Sequence, residues 1–351
     1  MVNKFSVAWL SLTYKCNNQC GWCYASSNSP QENKELPRDK ISPILHLLKD
    51  LKIKRTILIG GEPTVYPYLK EVLEEHQIQD INTGMVTNGR KLAKREFSKI
   101  LKDHGVNSLT VSIEGYDPSS HDEVTQVSGS YEESINGIYT AANEGIKVST
   151  NTVITRRNYS NLEKISKSLM DLPIEHLGFN ICGPCFGSTD NSSIINPKLA
   201  ARAFQDTYDY IKLNSNKRIK LVTPMPLCFF NEEHREEFKN QRIIRGGPCQ
   251  LASGSNFVID YNGDIIPCTH LTGYPLFNIY KENGELYSRD KFLESVNNPD
   301  GIPYRFREIM SKNASEKCDD GNCDEPCSGG CPLVWSVFDP AKEIKGIDAS
   351  I

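Results

Sequence analysis

The sequence predicts an α/β fold with a parallel sheet, followed by a smaller cysteine-rich domain. Through residues 1 to about 214, six short β-rich runs alternate with helical patterns, and this alternation is typical of βα units. After Gly246-Gly247 the predicted strands become shorter and Gly and Pro more frequent. The 12 cysteines are distributed unevenly, with three near the start and seven after Leu227. These observations predict domains at 1–214 and 246–339, a connector at 215–245 and a tail at 340–351.

The strand candidates are β-rich segments of the first half: Phe5–Leu12, Thr56–Ile59, Asn82–Thr87, Ser108–Ile113, Lys147–Ile154 and His176–Asn180. The helix candidates between and after them are Ile41–Leu51, Pro67–His76, Ala93–Asp103, Tyr131–Glu144, Tyr159–Asp171 and Pro197–Asn214. In sheets of this kind ligands gather at the carboxyl ends of the strands. We therefore expect the site in the loops that follow the strands.

Composition excludes several functional classes. The net charge is −4, so no strongly basic surface indicates a nucleic-acid partner. No apolar run approaches the roughly 18 residues of a membrane span. The sequence starts without a signal-peptide pattern, so we expect a cytoplasmic protein without a disulfide framework. Cysteines in that setting indicate metal or redox chemistry.

The most informative motif is Cys16-x3-Cys20-x2-Cys23, followed by Tyr24 in the loop after the first strand. Closely spaced thiolates suit a soft metal or an iron–sulfur cluster. Three ligands are one short of four, which would leave one iron of a [4Fe–4S] cluster open for chemistry. The alternative is a zinc site of three cysteines completed by a histidine.

This motif resembles that of the radical S-adenosylmethionine (radical SAM) enzymes. The resemblance implies an open, partial (β/α)6 TIM-like barrel and a [4Fe–4S] cluster on Cys16, Cys20 and Cys23. It also implies that the open iron chelates the amino and carboxylate groups of SAM. An electron from a donor such as flavodoxin or ferredoxin would cleave the sulfonium, and the resulting 5′-deoxyadenosyl radical would abstract a hydrogen atom.

The loops after the second and third strands supply further candidates for SAM binding. Gly60-Gly61-Glu62-Pro63 follows the second strand and resembles the GGEP motif, which contacts the methionine amino group. Tyr24 and the segment Thr87-Asn88-Gly89, after the third strand, add candidates for SAM binding. The ordinary alternative for Asn88-Gly89 is a turn.

The fourth and fifth strands supply the remaining candidates. Ser112-Ile113-Glu114-Gly115 resembles the family's Ser-Ile-Asp-Gly, which makes Ser112 a stronger candidate than Glu114, and Asn151 is expected to border the ribose and adenine. Thr125 stands where many relatives carry an arginine that holds the SAM carboxylate. Arg156 or Arg157 is the predicted substitute.

The cysteine-rich end resembles the SPASM extension, which holds auxiliary [4Fe–4S] clusters. Cys249-x13-Gly263-x4-Cys268 encloses a predicted β-hairpin with an Asn-Gly turn. A four-cysteine run follows, made of Cys318, Cys323, Cys327 and Cys331. The resemblance implies one or two auxiliary clusters, the first on Cys249, Cys268 and Cys331 and the second on the other three.

This region departs from the SPASM pattern. The four-cysteine run has four-three-three spacing rather than two-five-three, and no cysteine follows Cys331 in the sequence. The second cluster would then need Asp319, Asp320 or Asp324, or an open iron. Cys228 is a candidate to complete the first cluster.

Cys182-Gly-Pro-Cys185 follows the sixth strand and matches none of these motifs. Three interpretations stay open: loop cysteines without a ligand, a substrate-facing thiol pair, or an unexpected cluster ligand.

The two cysteine-rich regions together predict a peptide-modifying enzyme. Relatives with this extension mostly act on peptides, so we expect hydrogen abstraction from a ribosomally made precursor peptide to install a crosslink, thioether or epimerisation. Thr269-His270 after Cys268 disfavours sulfatase oxidation, because those enzymes tend to carry aspartate there. Cys16 lies near the start of the sequence, so leader binding is expected from the barrel, the second domain or a separate protein. The alternatives are a small-molecule radical SAM dehydrogenase or cofactor-biosynthesis enzyme, and a zinc-stabilised scaffold without activity.

Overall fold

The computed structural model describes residues 5–25, 34–185, 191–244, 255–310 and 329–345. Ten strands in these ranges form one sheet in the order β10-β9-β8-β1-β2-β3-β4-β5-β6-β7. The strands are β1 (Val7–Thr13), β2 (Arg55–Gly60), β3 (Asn82–Thr87), β4 (Val106–Ser112), β5 (Lys147–Ile154), β6 (His176–Ile181), β7 (Arg218–Leu221), β8 (Asn256–Ile259), β9 (Asp264–Ile266) and β10 (Phe277–Asn278). Strands β1 to β7 pair in parallel in chain order. The predicted α/β fold with a partial barrel of parallel strands is confirmed.

Helices cover one face of this sheet. They are α1 (Ile41–Asp50), α2 (Leu69–Ile78), α3 (Arg95–Asp103), α4 (Pro118–Thr125), α5 (Ser130–Asn143), α6 (Leu162–Met170), α7 (Pro197–Asn214), α8 (Glu232–Asn240), α9 (Arg289–Asn297), α10 (Ile302–Met310) and α11 (Pro340–Lys345). Helix α1 shows the underlying pattern, since Ile41, Ile44, Leu45 and Leu48 are buried at intervals of three and four residues. None of the helices in the described ranges has the length and hydrophobicity needed to span a membrane.

The strands alternate between two apolar environments. On β1, Leu10 and Leu12 belong to the main core under the helices, whereas Trp9 packs with Ile59 of β2 and Val86 of β3 in a separate cluster. This alternation follows from the period of two residues in a strand. Three members of this second cluster, Trp9, Ile59 and Val86, line the cavity described below.

Strand β7 and helix α4 are among the elements that the sequence analysis does not predict. Strand β7 lies within the segment expected to be a connector, and its residues alternate between exposed and buried at the end of the sheet. Helix α4 is short and begins after Asp117, whose carboxylate accepts a hydrogen bond from the backbone N–H of Ser120. Helix α8 also lies in this segment, and its His234 and Phe238 are buried.

The C-terminal hairpin joins the barrel sheet. Strands β8 and β9 pair in antiparallel fashion, and Gly263 has a φ of +87°, so the predicted hairpin with its Asn-Gly turn is confirmed. Strand β8 also pairs in parallel with β1, from Val7 opposite Asn256 to Leu10 opposite Ile259. Part of the predicted second domain therefore continues the first sheet, while the domain boundaries themselves stay a prediction.

Candidate active site

The carboxyl ends of the parallel strands surround a cavity of about 390 Å³. Its wall is formed by the loops that follow β1 to β7 and by the loop after β9. All ten residues predicted for cluster and SAM binding in the barrel line it: Cys16, Cys20, Cys23, Tyr24, Gly60, Gly61, Glu62, Asn88, Ser112 and Asn151. The structure thus brings together residues that are up to 135 positions apart in the sequence, from Cys16 to Asn151.

The cysteine loop is fixed by its neighbours. The backbone N–H of Asn18 donates to Sγ of Cys16 at 3.3 Å. The side-chain amide of Asn88, at the end of β3, donates to Oδ1 of Asn17 at 2.7 Å. From α4, the carbonyl of Thr125 accepts from the backbone N–H of Gln19 at 2.8 Å. These contacts set the direction in which the loop presents its thiols.

Two glycines at the end of β2 allow a close approach of the cysteine loop. A Cβ at Gly61 would lie 2.4 Å from the carbonyl oxygen of Lys15, and one at Gly60 would lie 2.3 Å from that of Thr13. Gly60 also has a φ of +130°, which L-residues rarely adopt. Its carbonyl accepts a hydrogen bond of 2.8 Å from the hydroxyl of Tyr24. Any larger residue here would displace the loop.

Glu62 links the ends of β2 and β3. Its carboxylate is buried and accepts hydrogen bonds from the backbone N–H groups of Thr64 (3.0 Å) and Asn88 (2.7 Å) and from the hydroxyl of Thr87 (2.7 Å). Burial raises its pKa above the ordinary value, although these donors oppose the shift. The carboxylate is therefore held in one orientation at the cavity wall.

Glu114 is a buried acid on the cavity wall, and its surroundings indicate a larger role than its sequence motif predicts. Its Oε2 accepts a hydrogen bond of 2.9 Å from the backbone N–H of Val153, whereas its Oε1 has no hydrogen-bond partner among the described residues. Burial raises its pKa to about 8. An unpartnered buried carboxyl oxygen on a cavity wall points to a ligand group that would satisfy it.

The hairpin region contributes to the same cavity. Thr269 and His270, directly after Cys268, line it. The His270 ring centroid lies 6.3 Å from that of Tyr24, and its Nδ1 lies 3.8 Å from Sγ of Cys268. Burial lowers the pKa of His270. A role for His270 in the cavity could not be predicted from the sequence, because its approach to Tyr24 depends on the pairing of β8 with β1.

The predicted carboxylate partners do not reach the cavity. Arg156 and Arg157 are both exposed, and neither is among the lining residues. In the part of the wall that the structure describes, no Lys or Arg is present. The assignment of Arg156 or Arg157 to the SAM carboxylate therefore lacks geometric support.

The auxiliary cysteines are only partly covered by the described ranges. Cys249, Cys318, Cys323 and Cys327 lie outside the described residues, as do Asp319, Asp320 and Asp324. Cys228 and Cys331 belong to two segments that pack together, since the backbone N–H of Cys331 donates to the carbonyl of Pro224 at 2.9 Å. The rings of Phe229 and Trp335 lie 6.3 Å apart in the same contact.

The donor set around the cavity fits an iron–sulfur cluster. Within the described ranges no three His, Cys, Asp or Glu side chains lie close enough to hold one metal ion, but a [4Fe–4S] cluster carries each thiolate on a separate iron. Burial and the neighbouring Cys23 raise the pKa of Cys20 well above its ordinary value. The protein alone therefore favours neutral thiols, and deprotonation would accompany metal binding.

The comparison with protein families decides the identity of the barrel. The radical SAM superfamily profile matches residues 10–169. This chain carries a radical SAM domain. Members of the superfamily are enzymes that use a [4Fe–4S] cluster and SAM, so this chain is an enzyme and the interpretation as a zinc-stabilised scaffold is wrong.

Relatives in sequence include enzymes of small-molecule chemistry. An AdoMet-dependent heme synthase from Nitratidesulfovibrio vulgaris is 29% identical over 276 residues, covering 76% of this chain and 73% of its own length. A probable GTP 3′,8-cyclase from Methanococcus maripaludis is 31% identical over 140 residues, covering 39% of this chain and 45% of its own length.

The similar solved structures share the fold over a longer stretch. Streptococcus suis SuiB bound to the precursor peptide SuiA has a TM-score of 0.71 at 20% identity, covering 96% of this chain and 74% of SuiB. The protein anSMEcpe with bound AdoMet and the Kp18Cys peptide has a TM-score of 0.70 at 16% identity, covering 93% of this chain and 89% of its own. The shared fold therefore extends well beyond the radical SAM domain.

Proposed function

We propose that this radical SAM enzyme abstracts a hydrogen atom from a ribosomally made precursor peptide and thereby installs a post-translational modification. The observation that carries the proposal is the C-terminal hairpin, which joins the barrel sheet through β8 and sends Thr269 and His270 into the cavity. The fold likeness to SuiB, which has been seen with a precursor peptide, covers 96% of this chain. Hairpin and barrel would together hold the reacting part of the peptide.

The residues of the cavity would have distinct roles in binding the cluster and SAM. Cys16, Cys20 and Cys23 would hold the cluster. Tyr24 and the backbone of Gly60 and Gly61 would border the methionine moiety of SAM. When bound, the cluster and SAM supply a 5′-deoxyadenosyl radical upon one-electron reduction. The chain's own contribution is to orient SAM and to exclude water from the radical.

Polar groups on β2 to β5 would complete the SAM site. Oε2 of Glu62 accepts a hydrogen bond from the backbone N–H of Asn88 and has remaining acceptor capacity for the methionine ammonium. Asn88, Ser112 and Asn151 lie along the same wall, where amide and hydroxyl groups suit the ribose and adenine. Glu114 follows Ser112 closely and offers its unpartnered Oε1 to a donor of the ligand.

The size of the cavity supports a peptide more than a second bulky ligand. Small-molecule sites commonly enclose about 300–1,000 Å³, and the cavity of about 390 Å³ has to accommodate SAM as well. A single residue of an extended peptide needs little of that space, because the rest of the peptide can stay outside the mouth.

The cysteine-rich end would supply auxiliary clusters that exchange electrons with the substrate. The contact of Cys331 with Pro224 brings the segment of Cys228 beside that of Cys331. This supports a first auxiliary site shared by Cys228, Cys249, Cys268 and Cys331, with Cys318, Cys323 and Cys327 on a second. An electron donor such as flavodoxin or ferredoxin, and a separate protein that binds the leader of the precursor peptide, would complete the system.

The decisive experiment uses the full chain, reconstituted anaerobically with iron and sulfide. With dithionite, SAM and a short peptide encoded beside the gene, we expect 5′-deoxyadenosine and a changed peptide mass. Cys16→Ala should reduce 5′-deoxyadenosine to background, because the cluster loses a ligand. Gln19→Ala is the matched control, since the exposed Gln19 side chain lies on the same loop and its contact to Thr125 is made by the backbone. SAM cleavage that persists in Cys16→Ala would contradict the assignment.

A second function is favoured by the sequence relatives. Similarity to an AdoMet-dependent heme synthase and to a probable GTP 3′,8-cyclase supports a small-molecule substrate. The same assay distinguishes the two, with an iron porphyrin or GTP in place of the peptide. Consumption of either small molecule, with the peptide unchanged, would favour this second function.

A further inference from the structure

The cysteine loop is held from one side by an arginine that belongs to none of the recognised motifs. Arg90 follows the turn after β3, and only 15% of its side chain is exposed. Its Nη1 donates hydrogen bonds to the backbone carbonyl of Asn17 and, at 3.1 Å, to Oδ1 of Asn18. Both acceptors belong to the stretch between Cys16 and Cys20. Arg90 therefore brings a positive charge directly against the segment that joins two of the predicted cluster ligands.

Helix α5 fixes the orientation of Arg90. A Cβ at Gly137 of this helix would lie 2.2 Å from the carbonyl oxygen of Gly89, so the turn that precedes Arg90 packs directly on the helix. One turn earlier on the same helix, Oε2 of Glu133 accepts a hydrogen bond from Nε of Arg90. Backbone and guanidinium are thus both anchored on α5. The charge is in place because of the packing of the protein itself.

A positive charge at this place bears on electron transfer. A [4Fe–4S] cluster bound by three thiolates carries a negative charge, and one-electron reduction adds another. A neighbouring cation stabilises the reduced form more than the oxidised form, so the cluster accepts an electron more readily. Glu133 opposes this effect only in part, because its side chain is 48% exposed and its charge is screened by solvent.

We propose that Arg90 is a positioning residue of the radical SAM site, which holds its charge against the cysteine loop and thereby raises the reduction potential of the cluster on that loop. Arg90 is not among the described residues that line the cavity, so it acts through the loop and not by contact with SAM or substrate. The assignment depends on the radical SAM domain and is independent of the peptide substrate proposed above.

The test is a redox titration of the reconstituted full chain, followed by electron paramagnetic resonance without peptide. The signal that changes when SAM is added identifies the cluster on the cysteine loop and separates it from auxiliary clusters. Arg90→Gln should make the midpoint potential of this signal more negative at unchanged iron content. Arg90→Lys keeps the charge and should retain most of the wild-type potential. Glu133→Gln should shift the potential in the positive direction, because it removes the opposing charge.

A comparison of two reductants separates a changed potential from a damaged site. With reduced flavodoxin as the donor, Arg90→Gln should form 5′-deoxyadenosine about three to ten times more slowly than the wild type. With excess titanium(III) citrate, a stronger reductant, most of the wild-type rate should return. A rate that stays low with the stronger reductant would mean that the site is damaged, and it overturns the proposal.

Arg95→Gln is the matched control. Arg95 forms a similar ion pair of 2.7 Å with Glu144, just past the other end of α5, but its side chain is 80% exposed. This variant should keep the wild-type potential. An equal potential in Arg90→Gln and Arg95→Gln overturns the proposal, as does an absent or negative shift in Glu133→Gln. If Arg90→Gln binds less iron, the sign of the shift in Glu133→Gln decides, because that variant leaves Arg90 in place.

Discussion

Among single residues, Glu114 makes the stability of the native state depend on pH. Burial raises its pKa from the ordinary 4.5 to about 8. Between these values the folded protein keeps a proton that the unfolded chain has released, so stability should fall as pH rises through that window. Below this pH window Glu114 is protonated in both the folded and the unfolded state, so it causes no loss of stability. The ionisation of this one group lowers the free energy of unfolding by at most about 1.4 kcal/mol per pH unit.

Glu114→Gln should remove that slope, because the amide has the same shape and does not ionise. The free energy of unfolding, measured with urea at several pH values between 4.5 and about 8, checks this. Glu123→Gln is the control, since Glu123 is exposed on α4. Parallel curves for wild type and Glu114→Gln would show that Glu114 ionises as readily in the folded protein as in the unfolded chain.

The residues of the cavity could be predicted where a motif stands directly after a strand. The cysteine loop, Gly60, Gly61, Glu62 and Ser112 follow this rule, because the carboxyl ends of parallel strands meet at one edge. Glu114 was ranked below Ser112, since the lack of a partner for Oε1 is a property of the packed structure. His270 was missed for a different reason, because its loop reaches the barrel only through a strand pairing between distant segments.

Between elements, a buried hydrogen bond connects the loop after β1 with the end of β8. The hydroxyl of Tyr14, two residues before Cys16, lies 2.7 Å from both carboxylate oxygens of Asp260. Tyr14→Phe should destabilise the protein by about 1–3 kcal/mol, because it removes a donor from a buried carboxylate. When Asp260 is first replaced by Asn, the Tyr14→Phe substitution should destabilise the protein less, since the amide carries no charge.

A double-mutant cycle measures this link. The combined variant Tyr14→Phe/Asp260→Asn should be less destabilised than the sum of the single variants, with a coupling of about 0.5–3 kcal/mol. Tyr261→Phe is the control, because the Tyr261 ring contacts Tyr14 edge-on at 5.4 Å and phenylalanine keeps that ring. Strict additivity in urea unfolding would mean that the two segments are not coupled through this bond.

Elements of the first half were predicted closely, and those of the second half less so. The run Lys147–Ile154 has the same bounds in sequence and structure, because most of its residues are the β-branched Val, Thr and Ile that favour strands. Strand β7 was missed since Arg218-Ile219-Lys220-Leu221 offers only two apolar residues. The pairing of β8 with β1 joins residues about 250 positions apart, and no local pattern encodes it.

At the scale of the whole molecule, the continuous sheet determines how the protein should unfold. Because β8 extends the sheet beside β1, the barrel and the C-terminal hairpin share backbone hydrogen bonds. They also share an aromatic contact, in which the rings of Phe5 and Phe257 lie 5.0 Å apart and those of Phe257 and Phe292 lie 5.2 Å apart. Neither part buries this surface without the other.

We therefore expect one cooperative thermal transition rather than separate transitions of barrel and hairpin. Phe257→Ala should lower the midpoint of that whole transition, with a destabilisation of about 3–5 kcal/mol typical of a buried phenylalanine. Calorimetry and circular dichroism on the same anaerobic sample check this, because coincident transitions indicate two-state behaviour. Ile302→Ala is the control, since Ile302 is 63% exposed in the same region and its removal should leave the midpoint nearly unchanged. An early transition of the C-terminal part alone in Phe257→Ala would mean that the β1–β8 pairing does not make the two parts fold as one unit.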